Sequence, residues 1–222
     1  MAKGKELPTY TKGEEIFNAV SHIVGGAFGL VALILGIIYG IKYHHDAYGM
    51  TGIVIYGISM ILLYTMSSIY HFLRRNRAKK VFRIFDHCTI YLSIAGTYSP
   101  ICLINLREST TGIILFSVVW ACAIIGITAN AINMYAMPIK VLSMILYLAM
   151  GWCVIFGLKD LLALMPMAEF YWILAGGVAY TIGCIFYGIG AKKKYIHSIW
   201  HLFVLLGTIL QFVGIFCYAI IR

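Results

Sequence analysis

Seven stretches of mostly apolar residues, separated by short polar breaks, fill almost all of this 222-residue chain. About twenty apolar residues, rising ~1.5 Å each in a helix, cross a hydrocarbon layer ~30 Å thick. Inside that layer no water is available to backbone groups, and a helix satisfies its own. The expected spans are about Val20–Ile41, Gly49–Phe72, Asp86–Asn105, Gly112–Ala131, Ile139–Leu158, Glu169–Gly190 and His197–Ile221. The fold class that follows is all-α: a polytopic bundle of seven transmembrane helices, one domain over residues 1–222 with a short polar segment at 1–15. Composition leaves no room for a separate water-soluble domain. The chain is 62% hydrophobic and 11% charged, with mean hydropathy +0.90, against roughly 25% charged residues in soluble domains. The first apolar run is too long for a signal-peptide core and lacks a small-residue cleavage site, so it is expected to remain as a span.

Lys and Arg fall unevenly on the two sides of such a bundle. One side takes Lys3, Lys5, Lys12, Arg74, Arg75, Arg77, Lys79, Lys80, Arg83, Lys140, Lys192, Lys193 and Lys194; the other takes Lys42, Arg107, Lys159 and Arg222. The positive-inside rule then predicts a cytoplasmic N-terminus, an outer C-terminus and a multi-pass protein of the cell membrane. The net charge of +9 sits in short clusters between apolar runs, which points to anionic headgroups at the cytoplasmic face and not to nucleic acid. Six cysteines, scattered singly through apolar segments, show no CxxC pair or disulfide framework. Gly25/Gly29 and Gly36/Gly40 have the spacing that lets membrane helices approach closely. Pro100 falls inside the third span, where neighbouring helices are expected to re-satisfy the carbonyl it frees.

Ionisable groups at membrane depth cost about 2.5–3.5 kcal/mol each at a helix centre and are rare. Here several share one level. His71 ends the second span, Asp86 opens the third, and His197 and His201 open the seventh, all beside basic clusters on the same side. His197 and His201, four apart, share a helix face, and Ser67 lies one turn before His71 on the same face. An HxxxH pair alone arises often by chance, and a histidine near a helix end is commonly interfacial; the shared depth favours a metal. Three imidazoles from two helices suit tetrahedral Zn²⁺ with the fourth position open, as in catalytic zinc sites. Ser198 stands where the HExxH helix carries its glutamate, so a general base must come from another helix, and Asp86 is the acidic residue at that depth. His197, His201 and Asp86 alone would instead make a two-His-one-carboxylate iron site, which leaves His71 without a role. Glu14, Asn18 and His22 recur every four residues and either line the same cavity or form the solvated face of a lead-in helix. His87, next to Asp86 but turned roughly 100° away, reads as interfacial or packing, His44 and His45 as solvated loop residues, and the basic clusters as orientation signals and lipid contacts.

The segments SSIYHF (Ser67–Phe72), FDHCTIYLSIAGTYSP (Phe85–Pro100) and HSIWHLFVLLGTILQF (His197–Phe212) resemble the bacterial hemolysin III branch of the progestin and adipoQ receptor family. EEIFNAVSHIVGG (Glu14–Gly26) resembles that family's first-span motif. The resemblance implies a seven-helix membrane fold and a zinc site at His71, His197 and His201. It further implies that Asp86 contacts the water there and that Ser67 completes the motif. Ceramidase activity is associated with the adiponectin receptors of this family, whereas the bacterial branch carries a cytolysin label and an association with membrane-lipid homeostasis. The function expected is a zinc-dependent intramembrane hydrolase of lipid amides or esters, with membrane lipids as substrate or ligand. A pore-forming cytolysin and a non-catalytic lipid sensor with structural zinc are the alternatives, and the oligomeric state is not specified by the sequence.

Overall fold

The computed structural model describes residues 7–43, 45–190 and 193–222. Its helices are α1 (Lys12–Lys42), α2 (Ala47–Phe72), α3 (Arg77–Pro100), α4 (Thr110–Asn133), α5 (Met137–Trp152), α6 (Leu158–Leu164), α7 (Met167–Ile189) and α8 (Ile196–Ile215). Counting α5 with α6 as one interrupted crossing, seven helical segments are long and apolar enough to span a membrane. No strand occurs among the described residues.

Two helices begin earlier than their apolar runs do, because local capping chemistry decides the start. Thr11 caps α1: its hydroxyl accepts the Glu14 N–H, and the Glu14 carboxylate accepts the Thr11 N–H. Asn76 caps α3 by accepting the Lys79 N–H at 2.9 Å. The basic cluster after α2 is therefore partly helical and partly interior: Lys79 is 1% exposed.

Large side chains face outward on α1 and small ones inward. Val24, Val31, Ile34 and Ile38 are exposed, whereas Gly25, Gly29, Ala32, Gly36 and Gly40 are buried. In lipid, apolar area gains little from leaving the solvent, so close backbone packing drives association instead. A Cβ on Gly25 would lie 2.4 Å from the Tyr64 ring, and one on Gly36 would lie 2.8 Å from Ile53. The two glycine pairs thus form the α1–α2 seam that their spacing predicts. Helix α3 is the least apolar of the spans and the most enclosed, since its neighbours, not lipid, solvate it. Its Tyr91 packs into the groove at Gly126 of α4 and accepts from Asn130, whose amide also reaches Ser143 of α5.

Three spans are less regular than expected, the seventh closing in a π-helical turn at Phe216–Ile220. After Pro100 the third continues as a π-helical turn, Ile101–Asn105, a common accommodation of a lost backbone donor. The fifth breaks into a 3₁₀ turn at Cys153–Gly157. At that break the Tyr98 hydroxyl accepts the Val154 N–H at 2.9 Å and donates to the Gly151 carbonyl at 3.2 Å. One tyrosine so replaces the partners that water cannot supply.

Gly25→Val should cost about 1–3 kcal/mol by overpacking against Tyr64 and lower the unfolding midpoint in detergent. Gly188→Ala, where an added Cβ meets nothing within 4 Å, should leave the midpoint in place; equal midpoints for the two variants would contradict a tight α1–α2 seam.

Candidate metal centre

Three elements meet at the N-terminal face. Helix α8 starts at Ile196 after Tyr195, whose left-handed backbone (φ 60°) turns the chain sharply. The Tyr195 N–H donates to Glu14 at 2.7 Å, tying this turn to the start of α1. His197 and His201 then project from one face of α8 toward His71 at the end of α2.

The imidazoles converge. One ligand nitrogen from each of His71, His197 and His201 lies within 4.8 Å of the others, and the Nε2 atoms of His197 and His201 are 3.2 Å apart. Two nitrogens bound at ~2.0–2.1 Å in a tetrahedral zinc shell would be separated by about 3.3 Å. His71 Nε2 is buried without any hydrogen-bond partner, while its Nδ1 is 2.8 Å from Glu15 Oε2. Stranding a buried ring nitrogen is costly in a low-dielectric setting, and a cation shared by the three imidazoles satisfies it. The residues present therefore fit a three-histidine zinc site. Asp86 is not a member of the close set, which favours the three-histidine reading over the two-His-one-carboxylate one.

Beside the imidazoles lies a cavity of about 130 Å³. Its polar end carries Ser67, Asp86, His197 and His201; its walls include Leu63, Ile90, Ile94, Met144, Trp152 and Val204. Ser67 is 1% exposed and lines the cavity together with Asp86. His87 also lines this cavity, 3.6 Å from Asp86 and 3.1 Å from the Tyr187 hydroxyl. Of the two readings offered for it, packing holds, since its ring nitrogens meet Tyr187 and the Arg83 carbonyl, and it borders the cavity besides.

The stripe at the start of α1 divides. His22 lines the cavity and stacks on His201 with ring centres 3.8 Å apart. Asn18 is fully buried, whereas Glu14 is consumed by the helix cap and the Tyr195 tie. None of the three forms a solvated face. Sequence reasoning missed Glu15, which reaches His71, and Lys79, whose ammonium donates to Glu15 Oε1 at 2.6 Å. A signal for this existed: the T-x-x-E capping pattern at Thr11–Glu14 assigns Glu14 to the backbone and leaves Glu15 free for another partner. Lys79 is correspondingly an interior residue and not a lipid contact. His45 is no free loop residue either, since its Nε2 lies 2.9 Å from the Ile220 carbonyl; His44 lies outside the described residues.

The segment before α1 covers the imidazoles. Arg75 donates to the Leu7 and Pro8 carbonyls, and the Tyr10 ring stacks on His197 at 5.0 Å. Burial pushes the Tyr10 phenol well above its ordinary pKa, so it remains a neutral cap.

Comparison with known proteins identifies the family. The family model described as haemolysin-III related matches residues 10–212. Hemolysin-3 of Bacillus cereus is 39% identical over 207 residues, covering 93% of this chain and 92% of that protein. The Hemolysin-3 homolog of Bacillus subtilis (strain 168) is 36% identical over 211 residues, covering 95% and 97%. The human monocyte to macrophage differentiation factor is 26% identical over 226 residues, covering 98% and 88%. Matched by this family model over residues 10–212 and built of seven helical spans, this protein belongs to the haemolysin-III-related branch of the progestin and adipoQ receptor family, as a multi-pass membrane protein.

Proposed function

We propose that this protein is a zinc-dependent intramembrane hydrolase of lipid amides or esters, with its N-terminal face in the cytoplasm. One observation carries the reading: three imidazole nitrogens converge, and two of the three rings, His197 and His201, line a largely apolar cavity whose wall also holds Asp86 and Ser67. Zinc held by His71, His197 and His201 would polarise a carbonyl and acidify a water molecule. Asp86 would take a proton from the attacking water and return it to the departing amine or alcohol, so that a lipid amide or ester plus water gives a carboxylic acid and the released head. Ser67, beside Asp86, holds the carboxylate or the carbonyl oxygen in place. Leu63, Ile90, Ile94 and Val204 suit an acyl chain, leaving the reactive head at the level of the histidines. The basic clusters at this face attract anionic headgroups.

The name Hemolysin-3 borne by two relatives favours a second reading, lysis of membranes. Protein added from outside to dye-filled liposomes separates the two: a turnover enzyme releases fatty acid without dye, and a cytolysin releases dye.

Purified protein should hold one zinc per chain, and His71→Ala/His201→Ala should lose it; metal-free wild type with a native melting curve would end the metal reading. Asp86→Asn should keep zinc and lipid binding while lowering turnover at least a hundredfold, the order typical of a lost general base. Unchanged turnover in that variant would remove Asp86 from the chemistry, and no turnover in wild type with lipid bound would leave a sensor. For orientation, a phosphatase that folds only outside the cytoplasm should be active when fused after Arg222 and inactive when fused before Tyr10.

A further inference from the structure

Behind the three imidazoles lies a charged arrangement that the hydrolytic reading does not use. His71 Nδ1 lies 2.8 Å from Glu15 Oε2, and the other Glu15 oxygen accepts from Lys79 Nζ at 2.6 Å. The same ammonium reaches the Leu73 carbonyl at 3.1 Å and the His71 carbonyl at 3.4 Å. An ammonium has three N–H donors, and here all three have acceptors. Lys79 is thereby fixed to the C-terminal turn of α2, where carbonyls have no helical partner and favour a cation.

We infer that Glu15 is the positioning carboxylate of the metal centre: it fixes the tautomer and ring orientation of His71, and Lys79 fixes Glu15. This rests on the zinc reading of the three histidines. A carboxylate only accepts, so Nδ1 must carry the proton and Nε2 must present its lone pair. Nε2 is the buried ring atom left without a partner, and a His71 ring nitrogen lies within 4.8 Å of one from each of the other two imidazoles. Carboxylate–histidine pairs of this kind raise the basicity of the ligand, and their loss typically weakens metal binding 10–100-fold. The arrangement is also asymmetric. Among the described residues, neither His197 nor His201 has a carboxylate behind it, and His201 Nδ1 has no partner. His71 is thus the oriented ligand, and the α8 pair closes onto it.

The competing account is that Glu15 and Lys79 merely fasten α1 to α3. The two differ in what they predict for the metal. Full-length protein in detergent should be titrated with zinc against a chromogenic chelator, in parallel with recording the visible ligand-field bands of its Co²⁺ form. Glu15→Gln should bind zinc roughly 10–100-fold more weakly and shift the cobalt bands. Because Glu15→Gln leaves the Lys79 charge buried and uncompensated, Glu15→Gln/Lys79→Met supplies a neutral pair; it should show the same loss of affinity as Glu15→Gln, since Lys79 acts through Glu15. Wild-type zinc affinity and unchanged cobalt bands in both variants, with His71→Ala still abolishing binding, would overturn the inference and leave the three-histidine site intact. Absence of zinc binding in the wild type would instead overturn the reading beneath it.

Discussion

A polar atom inside a bilayer has no water to fall back on, and the interior of this protein is organised by that fact. Large aliphatic side chains can face lipid at no cost, so many inward positions, above all along α1, go to glycine, alanine, serine, threonine, asparagine and tyrosine. The glycines let α1 close on α2, and the hydroxyls and amides then find one another across the seams. Tyr64 illustrates the coupling: its ring fills the space over Gly25 while its hydroxyl donates to Thr208 at 2.7 Å on α8. Packing and hydrogen bonding are satisfied by the same side chain, because neither can be left to the solvent.

The same constraint gives the bundle a polarity along its length. At the N-terminal face the interior carries His22, His71, His197, His201, Asp86, Glu15 and Lys79; past Ser67 and Leu63 the cavity wall turns mostly apolar. Such a gradient suits an amphiphile, whose head and tail demand opposite surroundings. It also explains why buried charges are tolerable here. Lys79 and Glu15 neutralise each other at 2.6 Å, and the ammonium's remaining donors meet backbone carbonyls, so no formal charge is stranded.

The periodicity of apolar residues made the spans legible, and the four-residue spacing of His197 and His201 made their shared face legible. That His71 would meet them followed from depth alone, which works because a membrane confines helix ends to two planes. Depth does not say which way a side chain turns. Glu14 and Glu15 are adjacent and chemically alike, and the cap at Thr11 decides that the first serves the backbone and the second serves His71. Lys79 was masked by its neighbours Arg74, Arg75, Arg77 and Lys80, which look alike in sequence and differ only through the helix start at Asn76. The breaks after Pro100 and at Cys153 were invisible for another reason: apolar composition is indifferent to whether a span is α, π or 3₁₀.

The ligand geometry ties the site to the whole bundle. His71 belongs to α2 and the HxxxH pair to α8, and α1 lies against both, with His22 stacked on His201 and Glu15 bonded to His71. The seam that holds α1 against α2 is built of glycines with no room for a methyl at Gly25 or Gly36. A cation shared by His71, His197 and His201 would bind only the closed arrangement, so its binding free energy adds to the cohesion of these three helices. Anything that spreads α1 from α2 must also draw Glu15 from His71.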